Sequence, residues 1–173
     1  MTRILLAYVR VVDRFNYLIG RVVMYGIFVM MAILLWSSIS KTFFLPSLWT
    51  LEMAQFAMVA YYILGGPYAI QMGSNVRMDL FYGEWTEARK TWVDAITVLF
   101  LIFYLVILLW GGWESFMYSL QYGGERSPTA WRPYLWPIKS IMVAGIALML
   151  LQAIAEFFRD VLRMLGEDMG AKT

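Results

Sequence analysis

Charged residues along this chain fall at a few places and leave long apolar stretches between them: Arg21 to Lys41, Glu52 to Arg77, Asp94 to Glu114, and about Tyr134 to Ala155. Each stretch approaches the ~20 residues that a helix needs to cross the hydrocarbon core of a bilayer. The pattern predicts an all-α integral membrane protein. Its four transmembrane helices fall at about 18–40, 50–74, 94–114 and 134–157, within a single membrane domain covering 1–173. Lys139 lies near the start of the fourth stretch, where a long cationic side chain snorkels to the interface without excluding a span. The first stretch is too long for the apolar core of a cleavable signal, and Lys41, Thr42, Phe43 and Phe44 offer no small-residue cleavage site after Ser40. It reads as a retained span.

Two further segments carry helical spacing broken by charge. Over residues 3–15, Ile4, Leu5, Tyr8, Val11, Val12 and Phe15 recur at helical intervals, interrupted by Arg3, Arg10, Asp13 and Arg14. Residues 84–92 repeat the pattern more briefly with Trp85, Ala88 and Trp92. Both are expected to lie as amphipathic helices in the cytoplasmic interface, apolar side down and basic side toward anionic lipid. The alternative for both is a helix extension packed on another protein. The segment 121–137 holds Gly123, Gly124, Pro128, Pro133 and Pro137 and is expected to be irregular.

Orientation follows from the cationic side chains. With both termini cytoplasmic, ten of the 14 Lys and Arg residues fall on the inner side; only Lys41, Arg126, Arg132 and Lys139 fall outside. Cytoplasmic loops retain such an excess of Lys and Arg. Trp36, Trp49, Trp110, Trp113, Trp131 and Trp136 sit toward the outer ends of the runs, and Trp85 and Trp92 in the inner loop. Those are the depths at which indole rings collect.

Composition sharpens this picture. The chain is 61% hydrophobic and only 15% charged over 173 residues. A soluble domain of that size could not cover so much apolar surface. A net charge of +2 with scattered cations gives no nucleic-acid patch. Cysteine is absent, which removes disulfides, thiol nucleophiles and iron–sulfur ligation; histidine is absent too, which removes the usual axial ligand of haem in a membrane bundle and the usual zinc ligand. No serine has a histidine partner and no glycine-rich phosphate loop is present. No catalytic, cofactor-binding or metal site is expected, and the 13 methionines read as apolar packing.

Charge inside a span is the usual mark of a transport pathway. Here Glu52 and Glu114 stand at outer ends of runs, and Arg21 and Asp94 at inner ends, so they read as interface anchors or inter-subunit pairs. Gly65, Gly66 and Pro67 interrupt the second run. Pro67 frees the carbonyl of Ile63, and two readings follow: a broken helix offering backbone to a solute, or a kink fitted to a neighbouring helix. The glycines there, with Gly111, Gly112 and Gly145, permit close helix approach.

Residues 49–82, WTLEMAQFAMVAYYILGGPYAIQMGSNVRMDLFY, resemble the small, four-span (DctQ-type) membrane subunit of tripartite ATP-independent periplasmic (TRAP) transporters. The matching positions are an acidic residue entering the second span, Glu52, then Gly65 and Gly66, then Gly73, Asn75, Val76, Arg77, Met78 and Asp79 in place of a G-x-HVRVD-like exit. Asn75 departs from the usual histidine. WRPYLWPIK at 131–139, followed by an apolar run with Gly145, Leu151 and Gln152, is similar to the family's last span. The resemblance implies a partner: a large multi-span subunit that carries the substrate and sodium sites and moves as an elevator. It also implies a periplasmic binding protein that delivers an organic acid, and a location in the bacterial inner membrane. The small subunit would then be static scaffold, with Glu52, Arg77, Asp79, Trp85 and Trp92 as candidate contacts to partner or lipid.

Two other functions compete. An autonomous, oligomeric four-span exporter would place a carboxylate deep in its first span, and none lies between Arg21 and Lys41. A membrane anchor for an electron-transfer enzyme would want histidine for haem.

Overall fold

The computed structural model describes residues 2–73, 87–122 and 125–164. Five helices account for nearly all of them: α1 Thr2–Val23, α2 Gly26–Phe43, α3 Thr50–Gln71, α4 Glu87–Gln121 and α5 Trp136–Met164. The described residues contain no strand. Arg126 and Tyr134 form an isolated antiparallel bridge that pins the loop between α4 and α5, which is otherwise irregular as its prolines require.

Helices α3 and α5 form the centre. They run parallel, with Ile63 against Gly145 and Gly66 against Met149. Helix α4 packs antiparallel on the far side of α5, where Leu105, Ile146 and Ala153 make a buried cluster. Helix α2 lies on the opposite side of α3, and α1 crosses both α3 and α5. The outward surfaces of α2 and α4 are apolar and exposed, including Phe28, Leu35, Phe100, Phe103 and Ile107. In water such a surface would be an aggregation hazard; in lipid it is the ordinary exterior.

Among the described residues three stretches are long and apolar enough to cross a membrane: Leu5–Phe43, Trp92–Gln121 and Trp136–Leu162. Helix α3 has 22 residues, or about 33 Å at 1.5 Å per residue. It is less apolar because Glu52, Gln55, Gln71, Pro67 and three tyrosines interrupt it.

The helix boundaries depart from expectation in two places. A break was expected between an interfacial segment ending near residue 15 and a span starting near 18. Instead α1 continues to Val23, and the chain turns at Met24–Tyr25. No glycine or proline precedes Gly20, so nothing local ends the helix earlier. Gly26 then opens α2 against the ring of Tyr61, 3.5 Å from where its Cβ would stand. Likewise residues 87–92 are not a separate segment: they form the first turns of α4, whose 35 residues extend well past the ~30 Å hydrocarbon core. Residues 84–86, with Trp85, lie outside the described residues.

Pro67 does not break α3. The helix runs through it, with Pro67 buried. The carbonyl of Ile63 that proline frees stands 3.2 Å from where a Cβ on Gly145 would be. The kink-and-fit reading is therefore the one the packing supports. Gly66 and Gly145 serve close approach of α3 and α5, whereas Gly65 and Gly111 meet nothing within 4 Å.

Candidate functional site

The most developed polar arrangement lies where α1 crosses the C-terminal halves of α3 and α5. Helical spacing puts Gln152, Glu156 and Arg159 on one stripe of α5, and Asp13 and Asn16 on one stripe of α1. Crossing of the two helices brings these stripes together. Arg159 Nη2 donates to Asp13 Oδ2 at 2.5 Å, and Arg159 Nη1 to Glu156 Oε1 at 2.5 Å. Gln152 Nε2 donates to Asp13 Oδ1 at 2.9 Å and its Oε1 accepts from Asn16 Nδ2 at 2.8 Å. Gln71, at the end of α3, donates to the Asp13 backbone carbonyl at 3.1 Å. Gln152 is fully buried and Asn16 is 1% exposed.

An apolar patch flanks this network. Val9 and Val12 meet Ala155, and the ring of Tyr8 stands edge-on to Phe158 with centroids 5.9 Å apart. The arrangement holds three helices at fixed relative angles. It leaves no acidic cluster suited to a metal among the described residues, and the guanidinium of Arg159 pairs with two carboxylates. Chemically it is a clamp.

At the opposite end of α3 a second polar group lies inside the bundle. Glu52 is 4% exposed, and neither carboxylate oxygen has a hydrogen-bond partner among the described residues. Nearby in sequence, the hydroxyls of Ser37, Thr50 and Ser47 form a chain with 3.1 Å between successive oxygens, and Ser40 donates to the Leu45 carbonyl at 3.0 Å. These bonds close the turn between α2 and α3.

The residues singled out from the sequence are thus dispersed. Glu52 is enclosed by this chain and does not reach its surface. Trp92 is exposed on α4. Arg77, Asp79 and Trp85 lie outside the described residues. Trp36, Trp49, Trp110, Trp113, Trp131 and Trp136 are all exposed near the end of the bundle that carries the α2–α3 and α4–α5 turns. There Trp110 Nε1 donates to Glu114 at 2.7 Å, and Lys139 pairs with Glu125. That hydrogen bond holds the Glu125 carboxyl below the usual carboxylate range.

Sequence reasoning passed over Asp13, Asn16, Glu156 and Arg159 as members of one site. A signal existed: Asn16 and Gln152 are amides inside apolar stretches, each a helical turn from a charged residue. Nothing local says that the two stripes face each other.

The helices and their apolar exteriors define a small, helical, multi-pass membrane protein whose α1, α3 and α5 are tied together by polar side chains. The family model described as "Tripartite ATP-independent periplasmic transporters, DctQ component" matches residues 30–163, well over half of the chain, and the protein belongs to that family: it is a TRAP transporter small membrane subunit. The match begins within α2, so α1 precedes it. No curated protein matches the chain with significance.

Proposed function

We propose that this chain is the static scaffold subunit of a sodium-coupled TRAP transporter in the bacterial inner membrane. It would cross the membrane four times, α3 being the remaining span, with both termini cytoplasmic. It would support a large elevator-type subunit that imports an organic acid handed over by a periplasmic binding protein, and would itself neither bind substrate nor catalyse a reaction. The observation that carries this reading is the clamp: Asp13 and Asn16 of α1, Gln71 of α3, and Gln152 and Arg159 of α5 bond the three helices to one another, which suits a body held rigid while a partner slides past it. Exposed Trp92 and the outer tryptophans support fixed depth in the bilayer. Arg77 and Asp79 remain candidates for ordering contacts with the partner or with lipid headgroups.

Two experiments test the proposal. Affinity purification from native membrane in mild detergent should recover a large multi-span partner in stoichiometric amount; recovery of this chain alone and self-associated would favour the small-exporter reading. The static role is tested by a cross-link. The chain has no native cysteine, so Val12→Cys with Ala155→Cys, two positions in one buried cluster, can tie α1 to α5. Transport by the reconstituted complex should survive the cross-link. Loss of transport that returns on reduction would mean that these helices move in the cycle. Replacing Trp85 and Trp92 by alanine should loosen seating and lower transport at equal complex abundance.

A further inference from the structure

A cleft of about 510 Å³ opens between α3 and the turn joining α1 to α2. Its lining includes Tyr17, Arg21, Tyr61, Tyr62, Gly65 and Tyr68. Gly65 makes it open: a Cβ there would meet nothing within 4 Å. From Tyr61 to Ala69 the cleft follows α3 over nine residues, a rise of about 12 Å. Arg21 stands at one end, its guanidinium 5.8 Å from the ring centroid of Tyr17. It continues a stripe along α1, with Arg10 and Arg14 at helical spacing, and all three are exposed. Among the described residues, none forms an ion pair with any of the three.

We propose that this cleft is a binding site for one anionic phospholipid, with an acyl chain lying along Gly65 between the tyrosine rings and the phosphate held by Arg21. Three observations select this occupant. The trough is walled by aromatic rings and closed at one end by a cation, which matches a molecule that is apolar along its length and anionic at its head. Arg21 falls at the Tyr68 end of the cleft, toward the end of the apolar stretch where a headgroup lies, and Tyr61 and Tyr62 fall deeper, since Gly20 packs on Tyr68 and Gly26 on Tyr61. The cleft, about 510 Å³ in volume and drawn out along α3, has room for a stretch of acyl chain, which is slender enough to enter. The lipid would fill the wedge left where α1 turns into α2 and brace that turn against α3. This inference rests on the chain's seating in a bilayer and not on its scaffold role.

The test uses the full chain, or the complex it purifies with, delipidated in mild detergent and titrated with phosphatidylglycerol, phosphatidylcholine or inorganic phosphate. Native mass spectrometry and thermal unfolding provide the readouts. One phosphatidylglycerol is expected to bind and raise the melting temperature, with weaker binding of phosphatidylcholine and none of phosphate alone. Arg21→Gln should lower phosphatidylglycerol affinity about tenfold, and Arg21→Lys should restore part of it. Gly65→Leu should abolish retention by filling the trough, while Gly65→Ala, too small to fill it, should retain the lipid. A Cβ at Gly65 meets nothing within 4 Å, so Gly65→Ala should fold, and the melting temperature of lipid-free Gly65→Leu checks that its longer side chain is accommodated. Equal phosphatidylglycerol retention by Arg21→Gln, Gly65→Leu and the parent chain would overturn the proposal. So would unchanged lipid binding with loss of the large partner in Gly65→Leu, since the trough would then receive a side chain of that partner.

Discussion

Asp13 joins the helix that precedes the family match to the helices within it, and its removal has a calculable consequence. Asp13→Ala deletes a carboxylate that accepts from Arg159 at 2.5 Å and from Gln152 at 2.9 Å. A hydrogen bond to a charged group contributes about 1.5–3 kcal/mol in water-soluble proteins. Side-chain bonds within bilayers average nearer ~0.6 and reach ~1.7 kcal/mol. The Asp13 side chain is 24% exposed, which further weakens the pair. Arg159 retains Glu156, so its charge is not orphaned. Together these considerations set the loss at about 2 kcal/mol. Arg159→Ala is worse, because two carboxylates lose their cation at once, although Asp13 keeps its bond from Gln152; breaking a buried pair costs about 3–5 kcal/mol and the partial exposure of both carboxylates puts this loss at the lower end. The order expected is Arg159→Ala, then Asp13→Ala, then Glu156→Gln, whose pair is within one helix. Thermal unfolding in lipid nanodiscs measures the order, and trypsin cleavage after Arg10 or Arg14 reports release of α1 from the bundle. If Asp13→Ala melts within ~0.5 kcal/mol of the parent chain, and α1 stays as protected as before, the clamp does not hold α1 and the reasoning fails.

Three other substitutions probe different parts of the bundle. Gly145→Ala drives a methyl group into the Ile63 side chain and backbone, and overpacking of this kind costs about 1–3 kcal/mol; Gly111→Ala, with nothing within 4 Å, should gain up to ~1 kcal/mol from helix propensity, so equal effects on melting would refute the close-approach account. Glu52→Gln keeps the shape and removes a charge for which the described residues offer no partner. The isolated chain should be at least as stable, by up to a few kcal/mol, and a loss above ~1 kcal/mol in denaturant titration would reveal an unseen partner of the carboxylate. The bond from Lys139 lowers the Glu125 pKa below its ordinary 4.5. Its stabilising effect is therefore present above that value and disappears as pH falls through the lowered one. Fluorescence of Trp131 and Trp136 should stay constant from neutral pH down to about 5 and change only in stronger acid. In Lys139→Gln the midpoint should move up toward the ordinary value, and an unmoved midpoint would separate Glu125 from the transition.

Lipid as the solvent of this chain is legible in the sequence, because apolar runs near 20 residues and a scarcity of charge are local properties that any window reveals. Helical content follows for the same reason: a backbone in hydrocarbon satisfies its own hydrogen bonds within a helix. The resemblance at Glu52, Gly65, Gly66 and WRPYLWPIK was also visible as a string of residues. Tertiary structure alone decided which polar groups meet. Asp13 and Arg159 are 146 residues apart, and their pairing depends on the phase of two helices and the angle at which they cross. Glu52 reads as a surface anchor at the end of a run, yet α3 turns it inward, since one residue's step around a helix separates interior from exterior. The turn at Met24–Tyr25, rather than near residue 16, was likewise set by packing of Gly20 on Tyr68 and Gly26 on Tyr61. Periodicity records which face is apolar; which neighbour covers that face is a property of the assembled bundle.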